Sequence, residues 1–342
     1  MTEGVRGKLG CWAHERWRTE CALQPWLRGL TGWSWRDLCN RSEQLARGDD
    51  DASRVCEWDE SSKLTVARIF PEVGGRLLAR CREEWPFRWG EATAVSEATP
   101  RVSVILPVGG ADRRVALSAV IRSFWGQDER SLEVIVVEQG TPPNFGKETW
   151  PGVKVVAVGG TLEDGFNKSL CLNAGVRAAR GDVVLLHDAD VVVPAGYVSS
   201  ILARMDQGYE AARPLRLVFH LDEDASRRWL EHHVWPSRVS FVQQNNPGLS
   251  TAVSRGVYEE LGGHDETFVG WGGEDLEFLD RLKTRRLFRG AFAPALHLWH
   301  PPAPKKASGD RNHELLNERR SRAVPERISK LRQNREVQSA GP

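Results

Sequence analysis

The sequence predicts an α/β fold in which a mostly parallel sheet is flanked by helices. From residue 101 onward, β-branched runs alternate with helix-type segments, the pattern of strands joined by helical crossovers. Asp188 ends the fourth run and Asp190 comes two residues later, so both lie at the carboxyl end of a strand, where such sheets bind their ligands. The β-branched runs are 101–108, 132–140, 153–160 and 181–188, and the helix-type segments are 113–127 and 166–181.

A tryptophan-rich region precedes this sheet. Residues 1–95 hold eight of the fourteen tryptophans. Apolar residues at helical spacing in 33–48 and 73–85 predict that this accessory region is mainly helical. We expect its tryptophans to pack in a small helical core, rather than to stack on sugar rings.

The domain boundaries follow from shifts in composition. The sequence "AVSEATP" (94–100) is typical of a linker, so the α/β domain is predicted to occupy 96–308. Residues 309–342 are predicted to form a basic C-terminal helical tail.

Composition narrows the classes of partner and compartment. The 342 residues are 40% hydrophobic and 27% charged, with a net charge of +1, so no nucleic-acid partner is expected. No apolar stretch reaches the ~18–20 residues of a membrane span, and no secretory signal is visible, so we expect a cytoplasmic protein. The six cysteines form no Cys-x-x-Cys pair, which disfavours a zinc site, and disulfides are not expected in a reducing cytosol. The sequence does not predict an oligomeric state.

The segment "VVLLHDADVVVP" (183–194) ends a buried strand with Asp188 and Asp190. Aspartate is common in turns, so a structural turn is one interpretation. The other is a cation site, because carboxylates that are buried without a partner cost on the order of several kcal/mol. The position at a strand's carboxyl end favours the second interpretation.

Two further segments offer side chains for chemistry. In "GWGGEDLEF" (270–278), Glu274 and Asp275 begin a helix; they either satisfy its N-terminus or present an ionised general base. In "LHLWHPP" (296–302), His297 and His300 can join the aspartates in a mixed site that suits a borderline divalent ion such as Mn²⁺.

A third segment, "FNKSLCLNAG" (166–175), places an aromatic ring and an ammonium group at the start of a helix. Phe166 and Lys168 can hold a base and a phosphate at such a strand-to-helix turn. Ordinary core packing of Phe166 is the alternative, and the sequence leaves both open.

Together these segments resemble the GT-A glycosyltransferases, over roughly residues 100–302. The similarity is closest to the family-2 type with a galactosyltransferase-like C-terminal half, such as the β-1,4-galactosyltransferases. It rests on "FNKSLCLNAG", "HDAD", "GWGGED" and "HLWH" in the family's order, with Lys168 where arginine is usual and His297 where methionine is frequent. "VVEQG" (136–140) and "GGHDETFVGWGGED" also read like family segments.

The resemblance implies a GT-A fold and a set of roles. Asp190 and His300, with His297, would ligate Mn²⁺ or another divalent cation such as Mg²⁺. Asp275 would be the catalytic base and Glu274 an acceptor or donor contact, while 301–315 would form a mobile lid. The implied donor-binding residues are Pro107, Val108, Glu138, Phe166, Lys168, Asp188, Gly248, Trp271 and Gly273.

The implied activity is metal-dependent, inverting sugar transfer. The donor would be a nucleotide sugar, UDP-linked galactose or N-acetylgalactosamine, and the acceptor a glycan, lipid-linked or small-molecule hydroxyl. Alternatives are a sugar-nucleotide nucleotidyltransferase, although "PVGGADRRVAL" lacks the Gly-x-Gly-Thr-Arg pattern, a non-catalytic carbohydrate-binding or scaffold protein, and a zinc hydrolase.

Overall fold

The computed structural model describes residues 5–91, 99–140, 144–145, 150–301 and 309–339. Most of the predicted linker and residues 302–308 of the predicted lid lie outside the described residues. The strands are, in chain order, β1 (Leu45–Arg47), β2 (Arg54–Cys56), β3 (Ser62–Lys63), β4 (Val102–Gly109), β5 (Leu132–Gln139), β6 (Lys154–Val158), β7 (Val183–His187), β8 (Val191–Val192), β9 (Ala211–Ala212), β10 (Leu215–His220), β11 (Phe241–Gln244), β12 (Ser250–Ser254), β13 (Leu287–Phe288) and β14 (Ala293–His297).

Helices lie between and outside these strands. They are α1 (Val5–Cys11), α2 (Trp17–Leu23), α3 (Pro25–Thr31), α4 (Thr65–Ile69), α5 (Pro71–Glu84), α6 (Arg114–Trp125), α7 (Lys168–Ala178), α8 (Tyr197–Met205), α9 (Glu223–His232), α10 (Arg255–Glu260), α11 (Glu274–Leu282), α12 (Gly309–Arg320) and α13 (Val324–Ser339). A π-helical turn joins α1 to α2, and a 3₁₀ turn precedes α6.

The main sheet confirms the predicted parallel core. Its strand order is β13-β9-β12-β7-β4-β5-β6, and β7, β4, β5 and β6 run parallel. Every residue of β7 is buried, as is every residue of β4 except its last, so these runs read as continuous apolar stretches rather than as alternation. The predicted crossover helices are α6, between β4 and β5, and α7, between β6 and β7.

A second sheet brings two distant chain segments together. Its order is β3-β11-β10-β14-β8, with β14 antiparallel to β8. His297 at the end of β14 pairs with Val191, the residue after Asp190, and the Leu298 amide donates to the Asp190 carbonyl at 2.9 Å. The backbone alone therefore places the histidine segment beside the aspartate turn.

The helix predicted over 33–48 is wrong. That segment holds a single 3₁₀ turn, Trp35–Asp37, followed by β1. Ser34 caps the turn, and the buried guanidinium of Arg216 donates to the carbonyls of Arg36 and Leu38. Because Arg216 satisfies these carbonyls, the backbone needs no helical hydrogen bonds there.

The predicted helix over 73–85 is confirmed as part of α5. The accessory region also contributes β3, which pairs with β11 of the second sheet. Its tryptophans only partly follow the expectation of a packed core. Trp35 is fully buried, whereas Trp12, Trp17 and Trp26 are 60%, 51% and 65% exposed.

The C-terminal helices contact both α11 and the loop that precedes it. Arg319 donates to Asp265 at 2.8 Å, and Arg320 pairs with Asp280 of α11 at 2.9 Å. Asn312 of α12 donates to the carbonyls of Val269 and Trp271. Residues 309–315 of the predicted lid are thus helical and attached to the Gly-Trp-Gly-Gly loop. Among the described helices, none has both the length and the apolar character needed to cross a bilayer.

Candidate active site

The turn after β7 directs two carboxylates away from the buried strand. His187 ends the strand: its Nε2 lies 2.7 Å from the Val191 carbonyl, which can only accept, so Nε2 carries the proton. Its Nδ1 then accepts from the Ser250 hydroxyl at 2.8 Å. Burial lowers the pKa of His187 to about 4, so the ring is neutral. This closed turn carries Asp188 and Asp190 on one edge.

Asp190, His297 and His300 converge, as the sequence predicts. The Asp190 carboxylate lies 3.6 Å from His297 Nε2 and 3.3 Å from His300 Nε2, and the three ligand atoms lie within 4.8 Å of one another. His300 Nδ1 lies 2.8 Å from the Pro301 carbonyl, to which it donates. Its Nε2 lone pair is therefore free to bind a cation.

This arrangement fits a divalent ion. Ligands about 2.0–2.2 Å from a metal lie roughly 3–4 Å from each other, as Asp190 and the two imidazoles do. One carboxylate and two imidazoles form a mixed donor set that suits borderline ions such as Mn²⁺ or Zn²⁺. Three protein ligands would leave the remaining coordination positions of such an ion open to a substrate.

A guanidinium group also lies at this cluster, and the sequence did not predict it. Arg113 Nη1 donates to Asp190 Oδ2 at 2.8 Å. The 3₁₀ turn that carries Arg113 follows β4 through Gly110, whose φ of +89° favours glycine. A Cβ on the preceding Gly109 would meet the Phe166 ring at 2.7 Å, so the turn needs both glycines.

A stack of side chains crosses the second sheet and ends on His297. His220 of β10 stacks on His297 of β14 with ring centroids 4.3 Å apart, and Phe241 of β11 stacks on His220 at 4.1 Å. Lys63 of β3 lies over Phe241 at 3.9 Å. Burial, and then the nearby His297, lower the pKa of His220 to about 3, so this ring adds no charge beside the cluster.

Lys168 joins the aspartate turn to the start of α11. Its Nζ lies 2.8 Å from Asp188 Oδ1 and 3.0 Å from Asp275 Oδ2. Desolvation alone would lower the pKa of Lys168, but the carboxylates of Asp188, Asp275 and Glu274 raise it well above its usual value. The pKa of Asp188 is lowered. Desolvation alone would raise this pKa, but the charge of the Lys168 ammonium outweighs the effect of desolvation.

The two carboxylates that begin α11 are harder to ionise. Desolvation and the charge of Asp275 raise the pKa of Glu274 to about 7. Desolvation also raises the pKa of Asp275, with Asp188 adding to the effect and Lys168 opposing it. Glu274 Oε2 is buried and has no hydrogen-bond partner among the described residues. Such an orphaned oxygen suits a hydroxyl group supplied by a ligand.

Comparison with known protein families identifies the class of protein. The pattern described as "Glycosyltransferase like family 2" matches residues 103–298, more than half of the chain. The chain belongs to this glycosyltransferase family.

Two curated relatives carry related names. The chain is 26% identical over 221 residues to "Probable glycosyltransferase YdaM" of Bacillus subtilis, with 58% of this chain and 50% of that protein covered. It is 26% identical over 160 residues to the undecaprenyl-phosphate 4-deoxy-4-formamido-L-arabinose transferase of Pseudomonas paraeruginosa, covering 44% and 43%. The chain thus spans half or less of the length of these relatives.

Among solved structures, the chain is similar to the mannosyltransferase PcManGT of Pyrobaculum calidifontis, determined in complex with GDP-Man and Mn²⁺. The identity is 19%, the TM-score is 0.41, and the match covers 81% of this chain and 86% of that one. The strand order and crossover helices show an α/β fold, and the likeness to this structure gives no information on the donor or acceptor of the chain.

The segment "FNKSLCLNAG" (166–175) holds the loop before α11 in place. The Asn167 side chain donates to the Glu266 carbonyl at 2.8 Å, and Asn173 donates to the His264 carbonyl at 2.9 Å. The Gly270 amide donates to the Phe166 carbonyl at 2.8 Å. This motif therefore positions the Gly-Trp-Gly-Gly loop, in addition to supplying Phe166 and Lys168.

Two predicted glycines lie where only glycine fits. A Cβ on Gly248 would lie 1.9 Å from Asp275 Oδ2, so the loop before β12 passes directly against the predicted base. Gly273 has a φ of +95°, and a Cβ there would meet the Phe268 ring at 2.6 Å. Trp271, in the same loop as Gly273, has a side chain that is 64% exposed.

Three predicted donor-binding residues have side chains that face the interior. Pro107 and Val108 are buried in β4, so only their backbone is near the cleft. The Glu138 carboxylate is fully buried and accepts hydrogen bonds from Asn144 and from the Phe145 amide. Donor binding by these three residues stays a prediction.

Proposed function

We propose that the protein is a metal-dependent, inverting glycosyltransferase that moves a sugar from a nucleotide-sugar donor to an acceptor hydroxyl. The observation that carries the proposal is the convergence of Asp190, His297 and His300 beside the Lys168-bridged pair of Asp188 and Asp275. A cation site and a paired carboxylate side by side are what displacement of a diphosphate by a hydroxyl requires.

Each group has a defined task in this proposal. Asp190, His297 and His300 would hold the ion, which when bound neutralises the charge of the departing diphosphate. Asp275 takes the proton of the acceptor hydroxyl as its oxygen forms a bond to the anomeric carbon. The bond from that carbon to the diphosphate breaks on the opposite side, and the diphosphate leaves with the electron pair. One direct displacement inverts the anomeric configuration.

The remaining residues position the substrates. Lys168 fixes Asp188 and Asp275, with Asp188 toward the ribose or the donor sugar. The orphaned Glu274 Oε2 accepts from a substrate hydroxyl, while Phe166 and Trp271 offer aromatic faces to the nucleotide and to the bound donor. A UDP-linked galactose or N-acetylgalactosamine is the proposed donor, because of the resemblance to galactosyltransferases.

The first experiment identifies the donor by thermal stabilisation. UDP-, GDP- and other nucleotide sugars are screened with and without Mn²⁺, because a ligand that binds only the folded state raises the melting temperature by mass action. Stabilisation that requires both ion and donor, and that is lost in Asp190→Asn, is the expected result. Stabilisation by the donor that is unchanged by EDTA and by Asp190→Asn would remove the metal from the proposal.

The second experiment tests the base. Asp275→Asn is expected to bind the donor but to lose transfer by about 10²–10⁴-fold, the usual contribution of general base catalysis. Asp224→Asn on the exposed face of α9 is the matched control. Ordinary turnover in Asp275→Asn refutes the assignment. Product analysis separates the alternatives, since a nucleotidyltransferase forms or consumes pyrophosphate and a carbohydrate-binding protein forms no product.

A further inference from the structure

Arg113 and the proposed metal compete for one carboxylate oxygen. Arg113 Nη1 lies 2.8 Å from Asp190 Oδ2, and His300 Nε2 lies 3.3 Å from the same oxygen. An ion held by Asp190 and His300 would therefore lie next to the guanidinium. Like charges at such short range repel one another, and an arginine side chain keeps its charge at any physiological pH.

Hydrogen bonds that do not involve Arg113 close the turn that carries Asp190. His187 donates to the Val191 carbonyl, and the Leu298 amide donates to the Asp190 carbonyl. Arg113 itself comes from the 3₁₀ turn after β4, 77 residues earlier in the chain. Its side chain is 21% exposed, so it is open to the cleft.

We propose that Arg113 couples metal binding to donor binding. This inference rests on the proposed function. Without a donor, the guanidinium is the counter-ion of Asp190 and weakens the hold of the site on a divalent cation. When a diphosphate enters, its negative charges attract both cations, and the planar guanidinium can donate two parallel hydrogen bonds to phosphate oxygens. Arg113 then binds the diphosphate instead of Asp190, and the Asp190 carboxylate binds the ion.

This coupling predicts two opposed changes in ion affinity, which phosphate binding by an arginine alone would not produce. Removal of Arg113 should strengthen the binding of the ion alone, yet weaken the gain in ion affinity that a diphosphate provides. By linkage, the ion then also improves diphosphate binding less in the variant than in the wild type. A merely structural ion pair changes neither quantity in this opposed way.

The experiment titrates Mn²⁺ into the full chain and follows the free ion by electron paramagnetic resonance, with and without inorganic pyrophosphate. Arg113→Gln is expected to bind Mn²⁺ alone about tenfold more tightly, and to lose about tenfold of the enhancement by pyrophosphate, a typical size for coupling between sites. Arg113→Lys keeps the positive charge and should stay near the wild type. Arg114→Gln, at the exposed start of α6, is the control.

The outcomes separate this inference from the proposed function. Equal and measurable Mn²⁺ affinity in the wild type and in Arg113→Gln overturns the inference alone, as does weaker binding in the variant. If neither protein binds Mn²⁺, with or without pyrophosphate, both the inference and the proposed metal site are overturned. Thermal unfolding of each variant establishes that it is folded before it is titrated.

Discussion

Replacing Lys168 by methionine should reduce stability and shift the pH dependence of activity. The Lys168 ammonium holds Asp188 at 2.8 Å and Asp275 at 3.0 Å, and the three side chains are only 15%, 23% and 25% exposed. Breaking one side of a fully buried ion pair costs about 3–5 kcal/mol, and breaking an exposed pair costs about 0–1. Partial exposure places Lys168→Met between these limits, at a loss of about 1–3 kcal/mol in the free energy of unfolding.

The sign of the pH effects follows from the direction of each pKa shift. The pKa of Lys168 is raised on folding, so its stabilising contribution is complete below the ordinary lysine pKa of about 10.4 and is lost as the pH rises through the higher folded value. Stability should thus be compared near neutral pH. The ammonium also lowers the pKa of Asp275, so its removal raises that pKa. The acidic limb of kcat/KM then moves to higher pH.

The assays are urea unfolding and pH–rate profiles of the transfer reaction. Lys168→Arg keeps the charge and should retain most of the stability and the original acidic limb. A Lys168→Met protein that unfolds within about 0.3 kcal/mol of the wild type, with an unchanged pH profile, would show that the Lys168 bridge stabilises neither the turn nor the base.

Two further substitutions test neighbouring parts of the site. His220→Ala removes the ring that stacks on His297 at 4.3 Å and should weaken Mn²⁺ binding about 10-fold or more, whereas His220→Phe should retain it; isothermal titration calorimetry measures both. Gly248→Ala places a Cβ 1.9 Å from Asp275 Oδ2, so the loop or the carboxylate must shift, and kcat should fall about 10²-fold while the melting temperature changes little. Unchanged kcat would mean that the clash is relieved elsewhere.

The sequence predicted the parallel core because its signal is local. Strands such as β4 and β7 are buried on both faces, and this produces unbroken β-branched runs that no exposed segment would carry. The meeting of Asp190 with His300 was predicted for a different reason. The order of the motifs along the chain resembles that of a glycosyltransferase site, and this resemblance predicted that the two residues meet. It did not predict the pairing of β14 with β8, which places them side by side.

The helix over 33–48 failed because a distant residue decides that segment. Arg216 of β10 supplies hydrogen bonds to the Arg36 and Leu38 carbonyls, and periodicity within the segment cannot register a donor 180 residues away. The stacking of His220 on His297 could not be predicted from the sequence for a similar reason. Its stack with His297 depends on the pairing of β10 with β14, which brings two strand ends together from separate parts of the chain.

The charges of the site give a physical reason for a divalent ion. Asp188, Asp190, Glu274 and Asp275 face the described cations Lys168, Arg113 and Arg213. When all are ionised, these groups carry an excess of one negative charge, which would repel a donor diphosphate. Protonation of Glu274, whose pKa is raised to about 7, relieves only part of this excess at neutral pH. A doubly charged ion at Asp190 more than cancels this excess, so the diphosphate would enter a cleft with no net negative charge, and its affinity should depend on the ion more steeply as the pH rises through 7.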